Sequence, residues 1–226
     1  MAEKLKVAVL FGGRSGEHAV SLMSARAVLK ALDMSKYDVI QIGITHDGVW
    51  LSGENVLADF LARKIDHLIP VTLLPDPKRK GLYRIQNISQ GEQFEHFTDV
   101  DVYFPVLHGT FGEDGTLQGL FEMANTAYVG AGVLGASVGM DKAVFKAVMR
   151  ANRIPVVDEV LVLRSEIQNQ LETLLTRAEQ TLSYPLFVKP VNMGSSVGVS
   201  KCYNRSDLLE GLIEAARFDR RILIEK

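Results

Sequence analysis

The sequence predicts an α/β fold on a mainly parallel sheet, and three observations carry that prediction. Short apolar runs of strand length alternate with stretches of helical periodicity. The composition, 47% hydrophobic and 23% charged, is that of an ordinary globular protein. The length, 226 residues, suggests one large domain or two modest ones at about 150 residues each, with roughly 70% of the unfolded surface buried. A disordered tail, a collagen-like fibre and a disulfide scaffold are thereby excluded.

Residues 5–11 form the first strand, broken by Gly12-Gly13. A helix is expected over residues 17–32. Its apolar stripe is read as Val20, Met23, Ala27, Val28 and Ala31, at three- and four-residue spacing. Residues 37–44 are a second strand, His46-Asp47-Gly48 a turn, and Val49-Trp50-Leu51 the returning segment. Residues 68–98 read as a small antiparallel excursion on the surface, with short pieces at 82–88 and 93–97. Its basic run, Lys78-Arg79-Lys80, reads as a solvated loop face. A buried strand resumes at 100–106, followed by a helix at 116–125 and a short strand at 127–129.

A second unit follows. Asp141 is placed to cap a helix running to about Ala151, because its carboxylate accepts the free N–H groups of a first turn. Then come a strand at 160–163, a helix at 166–182, a strand at 186–189, a Gly/Ser loop and a further strand at 197–201. Ser206 is placed to cap a helix to about Phe218, and 222–224 is a last strand. The boundary between the units is expected between Gly130 and Met140, giving domains 1–135 and 136–226. A chain end directly after that strand and Glu225-Lys226 predicts a sequence that stops inside a domain.

Charge and cysteine content narrow the function classes. With 25 Lys+Arg against 27 Asp+Glu, the formal net charge is −2, which carries no footprint for nucleic acid or an anionic membrane. The single cysteine, Cys202, forms no intrachain disulfide and fits a reducing compartment. No apolar run approaches the roughly 20 residues of a spanning helix, and the first run is too short for a signal peptide core.

Three segments carry chemistry. Gly12-Gly13-Arg14-Ser15-Gly16-Glu17-His18 follows the first strand and opens the first helix. Its glycines allow a sharp turn and close approach of a ligand. It lacks the dinucleotide fingerprint, and a carboxylate at Glu17 suits an ammonium rather than a pyrophosphate. The plain alternative is a tight turn with Glu17 answering the helix dipole. His108-Gly109-Thr110-Phe111-Gly112-Glu113-Asp114-Gly115 follows the strand at 100–106, the sheet edge where α/β proteins place ligands. A structural loop with an acidic cap is its alternative. Lys189-Pro190-Val191-Asn192-Met193-Gly194-Ser195-Ser196-Val197-Gly198 combines a strand-end lysine with a Gly-Ser-Ser turn rich in donors, a phosphate cradle with a point charge at its rim. It is not a Walker loop, and a glycine hairpin with a snorkelling lysine is its alternative. Lys142, after Met140-Asp141, is a second candidate cation.

Taken together and in this order, the segments resemble the D-alanine–D-alanine ligase family. Residues 12–21 look like its N-terminal signature and residues 108–119 like its second. Met140-Asp141-Lys142 and 189–198 resemble the first half of its ATP-grasp domain. The resemblance runs nearly the whole chain and implies a Rossmann-like parallel-sheet substrate domain at 1–135. An incomplete first α+β lobe of an ATP-grasp domain is implied at 136–226. The activity it implies is ATP-dependent ligation of two D-alanine molecules through an acyl phosphate, supplying peptidoglycan synthesis. A cytoplasmic homodimer is also implied.

The implied roles follow residue by residue. Glu17 holds the ammonium of the first substrate, and His108 lies beside the substrates. Lys142 and Lys189 meet the nucleotide phosphates. Ser195 links the phosphate loop to the site of Glu17, so that Glu17 and Ser195 are the implied catalytic pair. Ser196 shares that lid, Glu225 accepts the adenine amino group, and Lys226 stands beside it. Ala19 stands where a Glu is common in the family, and Ala127 where a Pro is usual. Magnesium or manganese is implied, with its ligands beyond Lys226 and no metal residue within this sequence. The rivals are a D-alanine–D-lactate ligase, a non-catalytic folded fragment, and another ATP-grasp ligase, against which the Glu17 and His108 signatures speak. As it stands, the chain is expected not to turn over.

Overall fold

The computed structural model describes residues 3–89 and 91–226. Their elements divide into two units, Met1–Ala136 and Ser137–Lys226. The first unit contains β1 (Leu5–Gly12), α1 (His18–Ala31), β2 (Tyr37–Ile44), β3 (Trp50–Ser52), α2 (Val56–Ala62) and β4 (Ile69–Thr72). It continues with β5 (Leu82–Ile88), β6 (Gly91–Thr98), β7 (Val102–Pro105), α3 (Thr116–Met123) and β8 (Ala127–Tyr128). Helix α4 (Val133–Met140) spans the division. The second unit contains α5 (Lys142–Ala151), β9 (Glu159–Leu163), α6 (Arg164–Asn169), α7 (Leu171–Thr181), β10 (Leu186–Pro190), β11 (Ser200–Cys202), α8 (Arg205–Phe218) and β12 (Arg221–Glu225).

The α/β class is borne out, with a refinement of the sheet. Eight strands run in the order β6-β5-β4-β3-β2-β1-β7-β8. Strand β1 pairs parallel with β2 and β7, and β7 parallel with β8. From β2 outward every pairing is antiparallel. The sheet is therefore mixed rather than mainly parallel, because the excursion at 68–98 extends it instead of lying apart. Lys78, Arg79 and Lys80 are exposed on the connecting loop, as read from the charge pattern.

Strand β1 is apolar on both faces because both are covered. Val7, Val9 and Phe11 pack with Leu22, Ala25, Val56 and Phe60 from α1 and α2. Ala8 and Leu10 pack with Leu117 and Phe121 from α3. Each fully buried side chain of this size contributes about 1.5–3 kcal/mol.

Helix α1 forms where expected but presents another face. Ser21, Leu22 and Ala25 are buried, while Val20 is 50% and Met23 59% exposed. Only Val28 of the expected stripe packs against the core. The stripe of apolar residues was misleading because a serine occupies the buried face, and its hydroxyl is consumed there.

In the second unit, four antiparallel strands run β11-β10-β12-β9. One face of this sheet packs Val162, Val188, Ile222 and Ile224 against Leu174, Leu175, Leu208 and Leu212 of α7 and α8. Asp141 caps α5, accepting from Val144 N at 3.0 Å. Three expectations are corrected. The helix at 166–182 is two helices, α6 and α7, interrupted at Gln170, whose φ and ψ of −141° and 35° are not helical. Helix α8 is capped by Asn204, which accepts from Asp207 N at 3.0 Å, and Ser206 lies inside its first turn. Strand β11 is confined to Ser200–Cys202, because Ser195, Ser196 and Gly198 take left-handed conformations.

Candidate functional site

Strand β1 ends in two glycines with φ of 89° and 95°. A Cβ on Gly12 would stand 2.4 Å from the carbonyl oxygen of Ile44, so only glycine fits that turn. The buried hydroxyl of Ser21 accepts from Gly12 N at 2.8 Å and donates to Val106 O at 2.5 Å. One serine thus ties together the end of β1, the first turn of α1 and the chain just past β7.

A second serine joins the two signature loops. Ser15 Oγ donates to His108 O at 2.6 Å and accepts from Glu17 N at 3.2 Å. Glu17 is the residue before α1, and its side chain makes no capping hydrogen bond to that helix. Its Oε2 lies against Gly109 instead: a Cβ there would come within 2.5 Å of it. Gly109 has φ 72°, and its N–H donates to Glu113 Oε2 at 2.7 Å. His108 Nε2 shares a hydrogen bond of 2.9 Å with Ser24 Oγ on α1. Gly12, Gly13, Ser15, His108 and Thr110 help line a cavity of about 160 Å³, and at its rim Arg14 stacks 4.4 Å from the centre of the Phe111 ring. His108 thus stands on a cavity with room for a small ligand, and the Glu17 carboxylate lies against the neighbouring Gly109.

The second unit is built on charge. Lys189 and Glu225 stand on neighbouring strands, with Lys189 opposite Leu223 and Glu225 opposite Phe187. That diagonal brings them to one face of the sheet, where Lys189 Nζ pairs with Glu225 Oε2. Glu225 is only 5% exposed. Its Oε1 pairs with Lys146 of α5, whose ammonium also reaches Glu159 Oε2 at 3.2 Å. Arg150 completes the chain on Glu159. Burial pushes the Glu159 carboxyl up, but hydrogen bonds and charge from Arg150 and Lys146 outweigh it and hold the group below the usual carboxylate range.

Lys142, on the first turn of α5, donates to the carbonyls of Val191 and Met193 at 3.3 and 2.5 Å. Its ammonium holds its proton less tightly than an ordinary lysine, first through burial and then through the like charge of Lys189; Glu225, Asp219 and Asp141 act in the opposite sense. The loop beyond is pinned by Asp219, which accepts from Asn192 N and Nδ2 at 2.8 and 3.0 Å. Ser195, Ser196 and Gly198 then take φ of 47°, 60° and 68°. Two consecutive non-glycine residues in that region are uncommon.

The eight residues singled out from sequence fall into two groups, one per unit. Glu17 and His108 are brought to joined loops in the first. In the second, Lys142, Lys189 and Glu225 form one electrostatic cluster, Ser195 and Ser196 are exposed on the loop after β10, and Lys226 is exposed at the end of β12. Sequence reasoning missed the serines that fix the loops, Ser15, Ser21 and Ser24, and the lysine at the centre of the ion-pair chain, Lys146. For Lys146 a signal existed: it lies four residues after Lys142, on the same helix face. Among the described residues no group of three or more His, Cys, Asp or Glu could hold a metal ion, and no helix is long and apolar enough to cross a membrane.

Known proteins share this pair of units. A model of the D-Ala-D-Ala ligase N-terminus matches residues 6–131, and one of the D-Ala-D-Ala ligase C-terminus matches residues 148–226. D-alanine–D-alanine ligase of Natranaerobius thermophilus is 45% identical over 225 residues, 99% of this chain and 60% of the relative. That of Heliobacterium modesticaldum is 44% identical over 223 residues, with the same coverage of 99% and 60%. Among solved structures, the VanG D-Ala:D-Ser ligase of Enterococcus faecalis superposes with a TM-score of 0.84 at 35% identity, covering 99% of this chain and 63% of its own. The D-alanine–D-alanine ligase of Coxiella burnetii gives 0.80 at 35% identity, covering 100% and 62%. The chain spans about 60% of the length of the curated relatives it matches. The class so defined is a ligase N-terminal domain followed by part of a ligase C-terminal domain. The chain belongs to the D-alanine–D-alanine ligase family.

Proposed function

We propose that the protein joins two D-alanine molecules at the expense of ATP. The single observation that carries this reading is the Lys142–Lys189 pair. Burial first, and the like charge of Lys189 second, disfavour the ammonium of Lys142, and both lysines stand beside a donor-rich loop. Such a pair is costly by itself and becomes favourable when a polyanion lies between.

In this reading Glu17 receives the ammonium of the first D-alanine, with His108 alongside. Lys142 and Lys189 neutralise the phosphates, Ser195 and Ser196 cover them, and Glu225 accepts the amino group of adenine with Lys226 beside it. A carboxylate oxygen of the first substrate attacks the terminal phosphorus and ADP leaves. The amine of the second D-alanine then attacks the acyl carbon, inorganic phosphate departs and the ammonium proton is released. Positioning and charge neutralisation are the main catalytic contributions in such a transfer. Magnesium, which the family implies, finds no ligand set among the described residues, and no step is assigned to it.

D-alanine is taken as the second substrate because the relatives at 45% and 44% identity bear that name, whereas the D-Ala:D-Ser ligase stands at 35%. The proposal includes a homodimer in the cytoplasm, supported by the exposed Val20 and Met23 on α1 and the buried free thiol of Cys202. The test is ADP release by the intact protein, coupled to detection of the dipeptide. Release dependent on D-alanine is expected. Release that D-alanine leaves unchanged, or that requires D-lactate or D-serine, would overturn it.

A further inference from the structure

Lys146 is the least exposed residue of α5, at 8%, while Val144, Phe145 and Val148 on the same helix are 37–40% exposed. Burying a lysine in place of available apolar side chains is unfavourable unless every charge is answered. Here its ammonium donates to Glu159 Oε2 and Val157 O, both at 3.2 Å, and forms an ion pair with Glu225 Oε1. Glu159 is itself fixed from behind by Arg150. The ammonium is thus held by contacts from within this unit, and its position is set by the fold.

The consequence falls on Glu225. Its carboxylate is gripped at both oxygens, but unequally. The side chain of Lys146, on Oε1, is 10% exposed, and that of Lys189, on Oε2, is 24% exposed. The Lys146 side is the fixed one and the Lys189 side the open one. The terminal torsion of a glutamate is otherwise broad. A carboxylate anchored at one oxygen presents its remaining lone pairs in one direction.

We propose that Lys146 is a positioning residue for nucleobase selection: by anchoring Glu225 it aims an acceptor that admits an exocyclic amino group and rejects a carbonyl in the same place. This rests on the reading of Glu225 as the base acceptor. A 6-amino purine donates to the aimed oxygen; a 6-oxo purine sets lone pair against lone pair. Without Lys146 the carboxylate turns and the distinction fades, even where the phosphates still bind.

The experiment measures dissociation constants of ATP and inosine triphosphate, which carries a carbonyl at that position, by calorimetry on the intact protein without D-alanine. Wild type is expected to favour ATP by at least about tenfold, the scale of one charge-assisted hydrogen bond. Lys146→Met is expected to bring the two nucleotides within about threefold of each other. Glu159→Gln, which loosens the anchor without removing it, is expected to lower the ratio in the same direction and stands in if Lys146→Met does not fold. A merely structural lysine would lower melting temperature and both affinities while leaving their ratio intact. An unchanged ratio in whichever variant folds overturns the proposal. Equal affinities in wild type, with Glu225→Gln also without effect, would sink the base-acceptor reading itself.

Discussion

At the end of β1 the signature loops are held by hydroxyl hydrogen bonds and close backbone approach rather than ion pairs: Ser21 between Gly12 and Val106, Ser15 between Glu17 and His108, and Gly109 packed close to the Glu17 side chain. Around β12 the corresponding work falls to charges: Lys189 and Lys146 on Glu225, Arg150 on Glu159, and Arg221 on Asp141. On the function proposed above, the difference follows from what each side would meet. A small zwitterion needs one carboxylate in a shaped space, and backbone geometry supplies the shape. A polyanion needs cations kept apart from one another, and interleaved carboxylates keep them so. The first arrangement is sensitive to volume and backbone conformation; the second is sensitive to charge.

The largest expected effect tests the volume side. Gly12→Ala places a methyl group 2.4 Å from Ile44 O at a φ of 89°. The strain of the left-handed conformation and the collision with backbone together cost about 3 kcal/mol or more, read by urea unfolding. A loss below about 1 kcal/mol would mean that the turn relaxes cheaply, and the contrast between the two units would lose its basis.

Legibility from sequence divides along the same line. The loops at the ends of β1 and β7 could be read because glycine and charged residues cluster directly after apolar runs. The cap at Asp141 could be read because an acidic residue stands directly before a helical pattern. Helix α2 escaped notice: it has seven residues, its buried positions are Val56, Leu57 and Phe60, and Asn55 makes no side-chain cap. Helix α4 escaped because its residues VLGASVGM lack a polar face, so periodicity is silent. The exposed apolar residues of α1 mimic a core face because hydrophobicity alone cannot see a serine whose hydroxyl is satisfied inside. Of the charge network, the lysines at 142 and 189 were visible as strand-end and helix-start cations. Glu159 and Glu225 come together only through strand register, and Lys146 reaches both from α5.

Next in size is Glu17→Gln. Glu17 is outside both apolar clusters of the first unit, so melting temperature should barely move. Loss of a charged hydrogen bond to the substrate ammonium should cost about 1.5–3 kcal/mol in kcat/KM for D-alanine. A variant that melts well below wild type with normal kinetics would make Glu17 a structural residue and align it with Gly12 instead.

Lys189→Met tests the charge side. It removes one of two cations from the phosphate space, so ATP affinity should fall at least about tenfold, or 1.4 kcal/mol, by calorimetry. Screening should act in the same sense, with ATP affinity in wild type weakening as salt is raised. An unchanged affinity would reduce Lys189 to a counter-ion of Glu225.

The smallest effect is the most specific, because it reads the spacing of the two lysines. Burial first, and the charge of Lys189 second, lower the proton affinity of Lys142. The charged form is thus penalised in the folded protein at pH values below the lowered pKa, and the penalty is relieved as pH rises through it. Phosphate prefers the ammonium. ATP affinity should therefore be full below that pKa and fall as pH rises through it, earlier than the titration of an ordinary lysine would allow. The expected decline is about threefold over the first pH unit past that point. Binding measured there in buffers of different ionisation enthalpy should show proton uptake. Lys142→Met should bind more weakly and without this alkaline limb. Lys189→Met, by removing the like charge, should move the limb to higher pH. If the limb stays in place when Lys189 is gone, the two ammonium groups do not share one space, and the polyanion site loses its main support.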